Sequence, residues 1–148
     1  MDETGIDRYL YREYGYSKRG VPIPGKISGR KYQRVGIVAA QLNGRLMCAM
    51  QYQGIMDSQF FEAWFEKMLL PCLPSGTVIV MDNATFHRKK QLIALTQSCG
   101  FRLIFLPPYS PDLNPIEHFW SALKRCLRKT IAALPSFDDA LLYAFQVI

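Results

Sequence analysis

The chain has 148 residues, 49% of them hydrophobic, and a formal net charge of +6. That length suits one ordinary domain with a packed core and does not call for two. Apolar runs such as Val35 to Ala40 and Val78 to Met81 fall far short of the roughly 18 residues of a membrane span, and the opening "MDETGIDR" carries acids where a secretory signal carries a basic patch, so no membrane partner and a cytoplasmic location are expected.

The positive charge is concentrated near the start. From Tyr14 to Met56 there is no Asp or Glu, while Lys18, Arg19, Lys26, Arg30, Lys31, Arg34 and Arg45 supply seven cations. Tyr9, Tyr11, Tyr14, Tyr16 and Tyr32 precede or interleave with that run. The composition suits a phosphate backbone with sugars or bases to stack on; a solvated basic loop is the other reading. Residues 4 to 33 show no sustained period and read as a long loop with short strand pieces at most.

"RVGIVAAQL" and "RLMCAMQYQ" read as two strands joined by Asn43-Gly44, a strong hairpin signal. Asp57 or Ser58 can cap a helix through "QFFEAWFEKMLL", with Phe60, Phe61, Trp64, Phe65, Met68 and Leu69 on a broad apolar face and Pro71 at its end. "TVIVMD" is a short buried strand ending in Asp82, "RKKQLIALTQSCG" a helix stopped by Gly100, and "FRLIFL" another buried strand, an order that implies parallel crossovers. Asn114 and Pro115 open a helix with Ile116, Phe119, Trp120, Leu123 and Leu127 on one face. A last helix begins near Ser136 with Asp139 in capping-box position and Leu141, Leu142 and Phe145 apolar. Cys48, Cys72, Cys99 and Cys126 form no CxxC pair and read as buried reduced thiols, and His87 and His118 lack zinc-site spacing. The whole is an α/β domain whose sheet starts antiparallel and continues parallel.

An acid at the C-terminal end of a buried strand lies where open α/β sheets bind ligands, which singles out Asp82; capping the next helix is its alternative role. Glu117 falls at the edge of the packed face of its helix, and Lys124 and Arg128 lie within about 20° of the same line at 3.6 residues per turn. Favourable placement in the helix dipole is the alternative for Glu117. A hard divalent cation needs about three oxygen-bearing side chains converging from separate elements. Asp82 and Glu117 supply two, and the early acids outside the basic loop are Asp2, Glu3, Asp7 and Glu13.

"DETG" at 2 to 5, "VIVMDNATFH" at 78 to 87 and "LPPYSPDLNPIEHFWSALK" at 106 to 124 resemble the three catalytic blocks of the DDE transposases of the mariner superfamily, in its bacterial insertion-sequence branch. The count between the second and third acids, 117 − 82 − 1 = 34 residues, is the spacing of that group. The resemblance implies an RNase H-like mixed sheet flanked by helices, with Asp2, Asp82 and Glu117 as catalytic metal ligands for two Mg²⁺ ions, Mn²⁺ being a substitute. It implies hydrolysis of DNA at element ends and strand transfer into target DNA by a homodimer, which places a bacterial member at the nucleoid. Lys18, Arg19, Lys26, Arg30, Lys31, Arg34, Lys124 and Arg128 would hold the DNA backbone. Asp112 maps to no ligand and reads as a hydrogen-bonding member of the proline-rich turn. The chain is expected to be a single catalytic domain, residues 1–148, lacking the family's upstream helix-turn-helix, with its first strand truncated to Met1 before Asp2. A catalytically incompetent fragment that only binds or assembles on DNA is the alternative.

Overall fold

A computed structural model describes residues 1–7, 18, 19, 21, 34–108 and 110–148. The five tyrosines above and Lys26, Arg30 and Lys31 lie outside the described residues. The strands are β1 (Asp2–Asp7), β2 (Arg34–Leu42), β3 (Arg45–Gln53), β4 (Val78–Met81) and β5 (Arg102–Phe105). The helices are α1 (Ser58–Trp64), α2 (Lys89–Ser98), α3 (Ile116–Thr130) and α4 (Phe137–Val147). None of them is long and apolar enough to cross a membrane.

Strands β1, β2 and β3 pair antiparallel in that order, and β4 pairs parallel with β5. Asn43 and Gly44 both adopt positive φ (51° and 78°), the conformation a two-residue type I′ turn demands. Between β4 and β5, Gly100 (φ 76°) closes α2: its N–H bonds to Gln97 O, and the Phe101 N–H reaches back to Thr96 O. Those two bonds are the Schellman pattern. Opposite Ala39 the β2–β3 register shifts, and Cys48 takes φ 52° in the bulge. The bulge frees the Cys48 carbonyl, and the Trp64 indole N–H donates to it at 2.9 Å, tying α1 to β3.

The first strand departs from expectation. It follows Asp2 instead of preceding it, and Thr4 to Asp7 belong to a strand, not to the basic loop. "DETGID" alternates buried and less buried side chains along its length, and all six residues pair with β2 from Ala39 to Arg34. The two sheets meet where the Met1 amino group donates to Val80 O at 2.8 Å, across 79 positions of chain.

Packing occurs on both faces of the antiparallel sheet. Phe61, Trp64, Phe65 and Leu69, together with Ile79 and Met81 of β4, cover Val38 and Ala40 on one face. Ile116, Trp120, Leu123 and Leu127 of α3, with Ala140, Leu141 and Ala144 of α4, cover Ile6, Ile37 and Ala39 on the other. Three expected core members, Phe60 (42%), Met68 (39%) and Leu142 (62%), are exposed, because each apolar stripe is wider than the sheet surface it meets. The cysteines also differ: Cys72 and Cys99 are exposed, and Cys48 and Cys126 are partly buried, all as free thiols. Cys72 ends the 3₁₀ turn Leu70–Cys72, which α1 reaches through a π-helical stretch, Phe65–Leu69, and Cys99 ends α2, where a helix terminus reaches the surface.

Candidate active site

Asp82 follows β4 directly, and the parallel pairing with β5 continues to its doorstep through the Leu106 N–H, which donates to Met81 O at 2.8 Å. It does not cap a helix. Helix α2 starts seven residues later, after Arg88, with no side-chain cap. Asp82 Oδ1 instead accepts from the Ala84 N–H (3.4 Å) and faces His87 Nε2 at 3.2 Å.

Glu117 stands in the first turn of α3, its N–H bonded to Asn114 O at 3.0 Å. The approach is set by backbone. Pro111–Leu113 make one short 3₁₀ turn closed by Leu113 N–H to Ser110 O and Asn114 N–H to Pro111 O. Asp112 is exposed, and no side-chain hydrogen bond of its own is found among the described residues, so the prolines and these backbone bonds form the corner without it. Asn114 is extended (φ −103°, ψ 102°) and buried, but the helix has no side-chain cap.

Asp2 begins β1 and is 6% exposed. With Asp82 and Glu117 it lines one open cleft of about 690 Å³, whose wall also includes His87, Lys89 and Asn114. The three acids nominated from sequence therefore converge from a strand start, a strand end and a helix start. Burial, then the nearby Glu117 and Asp82 charges, push the Asp2 carboxyl up to about 7. Asp2 Oδ2 is buried and has no hydrogen-bond partner. An unpaired buried carboxylate oxygen beside two more carboxylates suits a bound cation, which would relieve both the repulsion and the missing partner.

Glu3 points to the other face of β1. Its carboxyl is pushed up to about 8 by burial and by Asp2 and Asp82, and its buried Oε1 lies 4.0 Å from His87 Nε2, outside hydrogen-bond reach. Glu3, Asp82 and His87 together could also hold a metal ion, with ligand atoms all within 4.8 Å of one another. Glu3 was among the early acids legible in sequence; His87 and Lys89 were not marked, since neither carries a ligand spacing. The cue for His87 was its place five residues after Asp82 in an aromatic setting.

The basic residues divide. Lys124 is half-buried and Arg128 exposed on α3, and Lys18 and Arg19 are exposed. Arg34 pairs with Asp7 on the Glu3 face of the sheet and lies across Gly5, where an added Cβ would come within 2.0 Å of its Nε. It is thus on the opposite face from α3. None of these five lines the cleft; among the described cations, Lys89 does.

The raised carboxyls set a pH dependence. Asp2 and Glu3, ionised near 4 when unfolded, hold protons in the fold up to about 7 and about 8. Their contribution to stability is complete below the unfolded values and is lost as pH rises through the folded ones, because the native state then binds more protons than the unfolded. Thermal denaturation in chelator should show the midpoint falling between pH 5 and 8.5. Asp2→Asn combined with Glu3→Gln should flatten that slope.

The profile of the DDE superfamily endonuclease family matches residues 1–139. The Tc1 transposable element transposase of Caenorhabditis elegans is 37% identical over 79 residues, covering 51% of this chain and 29% of the relative. The Tc3 transposase of the same organism is 25% identical over 131 residues, 86% of this chain and 37% of the relative. The chain thus spans about a third of the length of the curated relatives it matches. Among solved structures, the Mos1 strand transfer complex superposes with a TM-score of 0.66 at 15% identity, over 98% of this chain and 49% of that one. That likeness gives the fold, which is RNase H-like.

Proposed function

Because the chain belongs to the DDE superfamily endonucleases, a family that uses divalent metal, we propose that its cleft is the catalytic centre of a transposase and that Asp2, Asp82 and Glu117 hold Mg²⁺, with Mn²⁺ as substitute. The observation that supports this most is the meeting of these acids in one cleft with a buried, unpartnered oxygen on Asp2. Bound cations of this type polarise a phosphodiester and lower the pKa of a bound water. The chain's own contribution is placement. Glu117 arrives on a helix whose start is fixed by Pro111 and Pro115, and Asp82 is held by the Ala84 N–H and His87. Burial first, and then the neighbouring Glu117 and Asp82 charges, raise the Asp2 carboxyl, and a bound cation would offset both.

The reaction proposed is hydrolysis of phosphodiesters at element ends followed by strand transfer of a 3′-hydroxyl into target DNA, by two ions per site in a homodimer. The 34 residues between Asp82 and Glu117 support membership of the bacterial insertion-sequence branch, and with it action at the nucleoid. Residues 1–148 form the catalytic domain in this reading, and recognition of end sequences belongs to a helix-turn-helix outside it. The alternative, a DNA-binding or assembly fragment without catalysis, is separated by experiment. Duplex DNA carrying element ends should be nicked in Mg²⁺ or Mn²⁺ and left intact in chelator. Salt-dependent DNA binding without nicking, even when the upstream segment is supplied, rules out the enzymatic reading.

Lys124 and Arg128 lie along α3 beyond Glu117, and we assign them to the DNA backbone together with Lys18, Arg19, Lys26, Arg30 and Lys31; Arg34, on the opposite face of the sheet from α3, is left out of that set. Each phosphate contact contributes about one unit to the slope of log affinity against log salt. Lys124→Ala with Arg128→Ala should therefore reduce that slope by about 2 in a titration of binding from low to moderate salt.

A further inference from the structure

His87 has no ligand role in the reading above, yet the fold holds it firmly. Its side chain is fully buried, with the ring against Phe61 (centroids 4.4 Å apart) and Phe86 (4.2 Å). The segment that carries it is fastened to α1 at two points: Ser58 Oγ donates to Phe86 O, and the Arg88 guanidinium grips Glu62 with two hydrogen bonds. The result is a ring aimed at Asp82, with Nε2 3.2 Å from Oδ1.

The other ring nitrogen decides the proton's position. Nδ1 is buried and has no partner. A neutral imidazole with its proton on Nδ1 would bury an unpaired donor, which is unfavourable, and would set the Nε2 lone pair against a carboxylate oxygen. With the proton on Nε2, Asp82 accepts it and only an acceptor lone pair stays unpaired among aromatic rings. The same reasoning argues against His87 as a metal ligand with Glu3 and Asp82, despite suitable spacing. Ligation through Nε2 would send the proton to Nδ1, where nothing accepts it; metal-binding histidines normally give that second N–H to a partner.

We infer that His87 is a positioning residue whose Nε2–H locks the rotation of the Asp82 carboxylate. Both hydrogen bonds to Asp82 fall on Oδ1, which leaves Oδ2 of this 42% exposed side chain to a cation. The inference rests on Asp82 binding a cation, as proposed above, and adds the residue that orients it.

The test compares His87→Gln with His87→Met, side chains of similar length and volume that differ in the donor. Free Mn²⁺ is followed by electron paramagnetic resonance, and folding by thermal denaturation in chelator. His87→Met should weaken Mn²⁺ binding about 10- to 100-fold, the usual effect of losing a group that orients a metal ligand, while His87→Gln stays near wild type. Equal Mn²⁺ affinities for the two variants overturn the inference. So does Zn²⁺ binding that both variants abolish with Mn²⁺ binding unchanged, which would make His87 a ligand. Long-range ¹⁵N–¹H correlation spectra of the metal-free wild type should show the Nε2–H tautomer, and the Nδ1–H tautomer overturns the inference without reference to metal. A wild type that takes up no Mn²⁺ overturns the metal reading of the cleft, while the tautomer still decides the bond between His87 and Asp82.

Discussion

Asp82→Asn and Glu117→Gln should each lower metal-dependent nicking by at least about 10²- to 10³-fold, the scale on which one preorganised charge-stabilising group matters. The amide replacements are the informative ones. Asn at 82 keeps a carbonyl that can accept from the Ala84 N–H and His87, so the strand end stays intact while the charge is lost. Alanine there would leave the buried His87 donor without an acceptor and confuse folding with chemistry. Glu117→Gln carries an opposite signature in stability. The Glu117 charge helps raise Asp2, so its removal lowers the Asp2 carboxyl toward its ordinary range and relieves repulsion in the metal-free fold. At neutral pH in chelator, Glu117→Gln should therefore melt no lower than wild type, and higher where repulsion dominates. A variant with full nicking, measured by single-turnover cleavage of a labelled end duplex, would remove that residue from the proposed site.

Phe61→Ala should be the most damaging core substitution on the α1 side. The ring is fully buried and touches Trp64, Phe65, Phe86 and His87. Deleting a buried phenylalanine ring costs about 3–5 kcal/mol, a large share of the roughly 5–15 kcal/mol that holds a domain together. For a chain of this size each kcal/mol moves the melting temperature by about 2–4 °C, so a fall of roughly 6–20 °C is expected in thermal denaturation. The site should suffer beyond the unfolded fraction. Removing the ring opens space beside His87, so Mn²⁺ affinity of the folded protein should fall as well. Phe61→Leu, which refills most of the volume, should recover the greater part of both.

Much of the fold was legible because its signals are local. Asn43-Gly44, Gly100, Pro115 and Ser136 act on backbone within a few residues of themselves, and the structure places a turn, a helix stop, a helix entry and a serine helix cap at those positions; the expected capping box is only half formed, because Asp139 accepts from the Ser136 hydroxyl and not from its backbone N–H. The stripe Ile116, Trp120, Leu123, Leu127 needs only the helical period, and all four are buried. Asp82 and Glu117 were legible from their places at a strand end and a helix start, supported by the resemblance of the blocks around them. The first strand was harder. "DETGID" contains a Gly and three acids, a poor strand by propensity, and its pairing partner β2 begins 27 positions after it ends, at Arg34. Strand formation there depends on a neighbour in space, as β-propensity generally does.

By itself, then, the chain determined which segments are helix, hairpin or, apart from β1, strand, which acids stand at element ends, and where positive charge accumulates, since all of these follow from spacings of a few residues; β5, expected to be buried, alternates exposed and half-buried side chains because only one of its faces is covered. The tertiary structure decided what meets what. It brought the Met1 amino group to Val80, sent Asp2 and Glu3 to opposite faces of one strand, set Arg34 away from α3, and turned His87 onto Asp82. Contacts spanning tens of residues form only when several hydrophobic faces are buried together, and that packing, not any local spacing, gives the cleft its geometry and Asp2 its raised carboxyl.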